Sequence, residues 1–176
     1  VCHSGLLQFD AAIESYKRAL KIDPEKPMIY FNLGVALSAK GDSVAALESY
    51  KRALRIRPDL FKAYNNMGNV LKNDGDFGAA IECYRKAVLI NPEYAEGFNN
   101  LGNALSDRGD LDGALDSYNN ARKINPDLCD AYINMGLALI EKGDPEAAIK
   151  SCNKALKINP DCAEAYNNRG LALSDM

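Results

Sequence analysis

Apolar residues recur along this chain in short helical patterns that follow one another in pairs. The apolar positions of one such pattern are Ala63, Tyr64, Met67, Val70 and Leu71. Their spacing of three and four residues predicts an amphipathic helix. A glycine and an aspartate then follow, and a second helical pattern runs to an isoleucine two residues before a proline. We expect the glycine to end the first helix, the aspartate to cap the second and the proline to terminate it.

This helix pair repeats with a period of 34 residues. A glycine keeps the period at Gly34, Gly68, Gly102, Gly136 and Gly170, and a proline keeps it at Pro24, Pro58, Pro92, Pro126 and Pro160. Each unit is numbered here so that its recurrent glycine is position 8. The full units are then 27–60, 61–94, 95–128 and 129–162. A partial unit over 1–26 precedes them, and the first helix of a further unit follows over 163–176. We therefore predict one all-α repeat array over 1–176, a solenoid. Because the chain starts within a unit, we expect its natural N-terminus to lie upstream.

Composition narrows the functional class without changing the fold. The 176 residues are 47% hydrophobic, and the net charge is −3 with a pI near 5.2, so we expect neither a nucleic-acid nor a membrane partner. No apolar run reaches the roughly 18 residues that a membrane helix needs. The five cysteines are odd in number and form no Cys-x-x-Cys pair, which favours reduced thiols and a cytoplasmic location.

Motifs for catalysis or metal binding are lacking in the sequence. His3 is the only histidine, and we expect it to be an ordinary surface residue. The chain has no phosphate-binding glycine loop, no nucleophile elbow and no cluster with metal-ligand spacing. The sequence therefore predicts a protein that is not an enzyme and that has no cofactor and no metal.

The unit resembles a known family. The residues that carry the resemblance in the second full unit are Tyr64, Met67, Gly68, Leu71, Ala80, Tyr84, Ala87 and Pro92. They fall where the tetratricopeptide repeat has its signature residues. The resemblance implies a right-handed superhelix of antiparallel helix pairs. In that family the first helices line a concave groove, which usually binds an extended peptide or a partner helix.

Asparagine dominates the face that the first helices would present to such a groove. Position 6 is asparagine in every unit: Asn32, Asn66, Asn100, Asn134 and Asn168. Further asparagines stand at positions 5 and 9, among them Asn65, Asn99, Asn69 and Asn103. Each one costs a helix roughly half a kcal/mol relative to alanine, so a compensating role is expected.

An amide side chain offers donors and an acceptor that match a peptide backbone. We therefore predict a ladder of amides that holds an extended chain by its main chain. The alternative is that these residues are relics of repeat duplication or bond to neighbouring helices. Similar asparagine ladders line the repeat arrays of O-linked N-acetylglucosamine transferases, where they bind substrate backbone. The repeat array of this chain also resembles those of bacterial proteins of the family.

Specificity would come from the other groove positions. Phe31 and Ile133 lie in two apolar patches, although scattered surface apolar residues would look the same. Lys62 is a basic groove residue. The acidic groove residues are Glu96, Asp107, Asp130, Glu141, Glu164 and Asp175. Because these acids concentrate in the C-terminal half, we expect the bound peptide to be basic.

Three residues depart from the repeat in the C-terminal part, which we expect to pack more loosely. Arg122 replaces the usual leucine at position 28, Cys152 replaces the tyrosine at position 24, and Arg169 replaces the apolar residue at position 7. The last helix also carries apolar residues that we expect to be uncovered: Tyr166, Ala172, Leu173 and Met176.

Taken together, these patterns predict a non-enzymatic scaffold that binds a protein or peptide in an extended conformation. One alternative is the substrate-recruiting region of a larger enzyme, such as a glycosyltransferase. Another is a self-assembling array, in which terminal repeats associate end to end through 163–176 or the first unit.

Overall fold

The computed structural model of the protein describes residues 2–176, with side chains from Gln8 onward. His3, whose role was predicted above, lies outside the described side chains. Within these residues the backbone forms α-helices and no strand. The helices are α1 (Cys2–Ile22), α2 (Pro27–Lys40), α3 (Ser43–Ile56), α4 (Phe61–Asn73), α5 (Phe77–Ile90), α6 (Ala95–Asp107), α7 (Leu111–Ile124), α8 (Cys129–Lys142), α9 (Pro145–Ile158) and α10 (Ala163–Ser174). The predicted all-α class is confirmed.

Two compact units divide the chain, Val1–Asn91 and Pro92–Met176. In the first unit, α2 packs against α3 and α4 against α5, and α1 lies against α2. In the second unit, α6 packs against α7 and α8 against α9, and α10 lies against both α8 and α9. The pairs α2–α3, α4–α5, α6–α7 and α8–α9 are each joined by a short turn.

The turn inside each full repeat uses a glycine and an aspartate. Gly75 has a φ of 84°, a left-handed conformation that other residues rarely adopt, and the equivalent glycines have φ between 81° and 89°. Asp76 then accepts a hydrogen bond from Ala79 N at 3.0 Å, which caps α5. The three other full repeats have the same cap on Asp42, Asp110 and Asp144. Both predictions for the turn are confirmed.

In three of the four full repeats, the recurrent glycine lies under a tyrosine ring. A Cβ atom on Gly68 would lie 2.6 Å from Tyr84 Cε1, so the ring occupies the space that a side chain would take. Tyr84 is fully buried. In the repeat 129–162 the tyrosine is replaced by Cys152, which is also fully buried and faces Gly136. The tight approach of the two helices therefore depends on glycine.

The apolar residues predicted to be uncovered in and after α10 are exposed, with one exception. Ala172 was expected to be uncovered, but it is fully buried, because α10 packs on α8 and α9 through this face. Tyr166, Leu173 and Met176 are exposed, as expected. Leu171 is exposed as well.

Candidate functional site

A cavity of about 490 Å³ opens along α6, α8 and the start of α10 in the second unit. Five of the asparagines and apolar residues predicted for the groove line it: Asn99, Asn100, Asn103, Ile133 and Asn134. They come from the first helices of two successive repeats. The helical spacing that the sequence analysis used to select the groove face therefore brings these side chains to one surface.

The amides in this cavity also bond to one another across helices. Asn134 Nδ2 donates to Asn99 Oδ1 at 3.1 Å, which joins α8 to α6. Asn168 Nδ2 donates to the Ile133 carbonyl oxygen at 3.4 Å, which joins α10 to α8 in the same way. Part of the amide chemistry thus serves the packing of neighbouring helices, the alternative given above. Asn134 keeps its oxygen and its second N–H without a partner among the described residues.

Core tyrosines hold the asparagines at position 9. The Tyr118 hydroxyl donates to Asn103 Oδ1 at 2.8 Å, and the Tyr84 hydroxyl donates to Asn69 Oδ1 at 2.7 Å. Burial raises the pKa of Tyr118, so its phenol remains a donor at neutral pH. Each amide oxygen thus already accepts a hydrogen bond, and the NH₂ group is the donor that the amide can offer to another partner. Sequence reasoning missed these pairs, although the constant offset of 15 residues between the partners was visible.

Two smaller cavities lie in the first unit. One of about 270 Å³ is lined in part by Tyr50, Asn66 and Asn69, and another of about 210 Å³ is lined in part by Tyr16 and Asn32. Burial raises the pKa of Tyr50 to about 12, while a hydrogen bond with Asn66 acts in the opposite direction. The same residue types as in the second unit are therefore present here on a smaller scale.

The remaining predicted residues differ in how far they reach the surface. Asn65 is buried, and its Nδ2 donates to Asn66 Oδ1 at 3.4 Å. Asn168 is buried as well. The Phe31 ring is half-buried, with its centroid 6.0 Å from that of Tyr50. Lys62 is exposed. These positions thus border the core, because the edge of a helical face is shared between the surface and the packed interior.

The cavity along α6 and α8 is acidic. Asp130 and Glu164 line it, and no basic residue does. Two thiols that the sequence analysis did not select also line it, Cys129 and Cys162. Burial raises the pKa of Cys129, and the neighbouring Cys162 adds to the rise. The Cys129 thiol therefore stays neutral at physiological pH, and the carboxylates set the charge.

The part of the chain whose side chains are described has neither a metal-ligand cluster nor a membrane-spanning helix. No group of three or more His, Cys, Asp or Glu side chains there could hold a metal ion. None of the helices in the described region combines the length and the apolar character that crossing a bilayer requires.

Profiles of known families match most of the chain. A profile described as TPR repeat matches residues 8–41, 37–75 and 102–143. Two profiles described as tetratricopeptide repeat match residues 61–94 and 129–162, and residues 83–116. All three describe repeats, and none describes a catalytic domain. A search of curated protein sequences found no match.

Solved structures with the same fold include several repeat proteins. A crystal structure of MamA is 31% identical, with a TM-score of 0.81, over 86% of this chain and 89% of that one. The protein YrrB, described as a TPR protein with an unusual peptide-binding site, is 25% identical, with a TM-score of 0.79, over 95% of this chain and 86% of that one. A chain of the APC/C hetero-tetramer Cut9-Hcn1 shares the fold, with 24% identity and a TM-score of 0.81 over 33% of its length.

Proposed function

Because this chain belongs to the tetratricopeptide repeat family, we propose that it is a protein-interaction scaffold that binds an extended peptide on its first helices. One observation carries the proposal: amide side chains from α6 and α8 line a single open cavity of about 490 Å³. That volume falls within the range of roughly 300–1,000 Å³ that is usual for ligand sites. YrrB, which shares the fold, is described as having a peptide-binding site.

Main-chain recognition follows from the chemistry of the cavity wall. The Tyr118 hydroxyl occupies the oxygen of Asn103, so this amide offers N–H donors to a peptide carbonyl. Asn134 has both an acceptor and a donor to offer. An extended peptide presents alternating carbonyl and N–H groups that need such partners when they leave water. The ladder would therefore bind a backbone largely irrespective of its side chains.

Side-chain preference would come from charge. Asp130 and Glu164 lie at the cavity, which contains no cation of its own. A lysine or arginine of the peptide would be attracted to them, most strongly at low ionic strength. We therefore propose a basic peptide as the preferred ligand.

A fluorescence-polarisation titration tests the proposed function. The probe is the labelled peptide (Lys-Ala-Ser)₄, and the variant is Asn100→Ala with Asn134→Ala. We expect roughly 30-fold weaker binding, because the two lost hydrogen bonds contribute about 1 kcal/mol each. The matched control is Asn120→Ala, which removes an amide from α7 outside the cavity lining.

Equal affinity of the double variant and the wild type would overturn the proposal, provided that both show the same helical circular dichroism. Equal weakening by Asn120→Ala would overturn it as well, since the effect would then not belong to the cavity.

Self-association is a second candidate, favoured by the exposed apolar residues of α10 and the residues after it. The exposed fractions are 49% for Tyr166, 47% for Leu171, 58% for Leu173 and 72% for Met176. Apolar side chains exposed on one helix favour contact with another copy. Sedimentation velocity over a range of concentrations tests this candidate. Association that is lost in Leu171→Gln with Leu173→Gln would support it, and a monomer at every concentration would exclude it.

We further propose a cytoplasmic location. The four cysteines with described side chains, Cys83, Cys129, Cys152 and Cys162, are free thiols, which are typical of a reducing compartment. Microscopy of the fluorescently tagged protein in its native host tests the location, and a signal confined to the cell envelope would contradict it.

A further inference from the structure

The cavity lined by Asn99, Asn100, Asn103 and Asn134 is the amide cavity. A second cavity of the second unit lies on the opposite side of α8 from it. It measures about 340 Å³. Its apolar wall consists of Tyr132, Met135 and Leu139, and its basic wall consists of Arg122, Lys150 and Lys154. The three apolar residues recur at intervals of three and four on α8, whereas Ile133 and Asn134 point to the amide cavity. The two cavities share no lining residue.

The cavity exists because an arginine stands where the repeat normally has an apolar residue. In the unit 27–60, position 28 is Leu54, which is buried and packs in the same core cluster as Met67 of the next unit. The equivalent residue in the unit 95–128 is Arg122, which is exposed, and Met135 is only half-buried beneath it. The loss of one apolar side chain therefore uncovers the methionine and opens the space.

The charge of this site also departs from the rest of the chain. Position 22 is acidic in the four preceding repeats: Glu14, Glu48, Glu82 and Asp116. Three of these acids pair with a basic residue three or four positions later on the same helix. In the repeat 129–162 this position is Lys150, so the neutralising acid is replaced by another cation.

The three cations form no ion pair with any described residue. Arg122 Nε donates to Asn119 Oδ1 at 2.7 Å, which orients the guanidinium and leaves its terminal NH₂ groups open. Lys154 Nζ lies 6.0 Å from the centroid of the Tyr132 ring. A chain with a net charge of −3 thus holds a local cluster of unpaired cations around an apolar hollow.

We propose that this cavity is a second protein-binding site, which takes an acidic peptide segment of a partner through one large apolar side chain flanked by carboxylates. The apolar wall and the modest volume suit a single leucine or aromatic side chain, and the open mouth lets a peptide continue on both sides. The Arg122 guanidinium is suited to a carboxylate, because it can bind both oxygens. The scaffold would then bind a basic peptide on one side of α8 and an acidic peptide on the other.

The test uses the fluorescein-labelled peptide Glu-Asp-Phe-Asp-Glu, capped at both ends, and titrates it with the full chain. The variants are Arg122→Leu and Lys150→Glu, which restore residue types that the other repeats carry. We expect roughly tenfold weaker binding for each, and a steep loss of affinity with salt in the wild type. Arg122→Leu should also raise the melting temperature, because the leucine refills the cavity, so lost binding cannot be attributed to unfolding. Lys123→Glu, on α7 but outside the cavity lining, is the matched control and should bind as the wild type does.

Four results would overturn the proposal. One is unchanged affinity in both variants, and another is an equal loss in Lys123→Glu, which would indicate attraction to net charge alone. The third is that the peptide with Phe replaced by Ser binds as well as the parent peptide, which would show that the cavity does not bind an apolar side chain. Dodecanoate is tested as a competitor to separate a lipid from a peptide. If dodecanoate binds at this site while the pentapeptide does not, the occupant is an amphipathic small molecule and the peptide assignment is wrong.

Discussion

The side-chain amide of Asn134 donates a hydrogen bond to Asn99 Oδ1 at 3.1 Å, and so ties α8 to α6 in the wall of the amide cavity. Asn99 is buried, so this bond replaces the hydrogen bond that its oxygen would otherwise accept from water. An asparagine that the sequence suggests for ligand binding thus also holds two repeats together. The asparagines of the chain therefore differ in whether they also stabilise the fold.

The first prediction compares two asparagines at the same repeat position. Asn134→Ala should lower the free energy of unfolding by about 1–3 kcal/mol, because the buried Asn99 oxygen loses its partner. Asn32 has no hydrogen-bond partner among the described side chains. Asn32→Ala should therefore raise the free energy of unfolding by roughly half a kcal/mol, since alanine is the better helix former. Urea denaturation measures both, and a stabilising Asn134→Ala would show that the bond contributes nothing.

Glycine supplies a second matched pair. A Cβ on Gly68 would lie 2.6 Å from the buried Tyr84 ring, whereas one on Gly170 meets no atom within 4 Å. Gly68→Ala should destabilise the fold by about 1–3 kcal/mol through overpacking. Gly170→Ala should stabilise α10 by about 1 kcal/mol. Urea denaturation measures the free energy of unfolding of both variants. Equal effects at the two glycines would contradict the close packing of Gly68 against Tyr84.

Much of the helical framework was predictable because its signals are local. The Gly75–Asp76 turn encodes a left-handed residue followed by a cap, and both form as expected. The contacts between helices were not predictable in the same way, because they depend on how two helices align. The bond from Tyr118 to Asn103 is an example, since its partners are 15 residues apart on different helices. The loss of core packing around Arg122 was anticipated only as looser packing, not as a cavity.

Alkaline pH should weaken the fold through its buried tyrosines. Burial raises the pKa of Tyr50 from 10.0 to about 12 and raises that of Tyr118 too. Above pH 10 the unfolded chain releases these protons while the folded chain retains them, so stability is complete below pH 10 and falls as the pH rises towards 12. Thermal melting between pH 8 and pH 12 measures the effect. In Tyr50→Phe the fall should be shallower, and an identical pH profile would contradict the assignment.

Charge in the amide cavity gives another prediction. The double variant Asp130→Asn with Glu164→Gln should weaken binding of (Lys-Ala-Ser)₄, because both carboxylates line the cavity without a cation beside them. We expect the wild type to lose affinity with added salt and the double variant to show little salt dependence. Isothermal titration calorimetry at about 20 mM and about 200 mM salt measures this salt dependence. The two concentrations lie on either side of about 100 mM, where the screening length is about 10 Å. Tighter binding of (Glu-Ala-Ser)₄ than of the lysine peptide at low salt would refute the proposed preference.

We propose above that the amide side chains of α6 and α8 bind the main chain of an extended peptide. The most direct measurement compares (Lys-Ala-Ser)₄ with the same peptide N-methylated at every alanine, because methylation removes backbone donors and leaves the side chains unchanged. We expect the methylated peptide to bind the wild type at least roughly tenfold more weakly than the unmodified peptide. We expect a much smaller difference between the two peptides for the Asn100→Ala/Asn134→Ala variant. Equal affinity of the two peptides for the wild type would contradict main-chain recognition, since binding would then not depend on the peptide backbone.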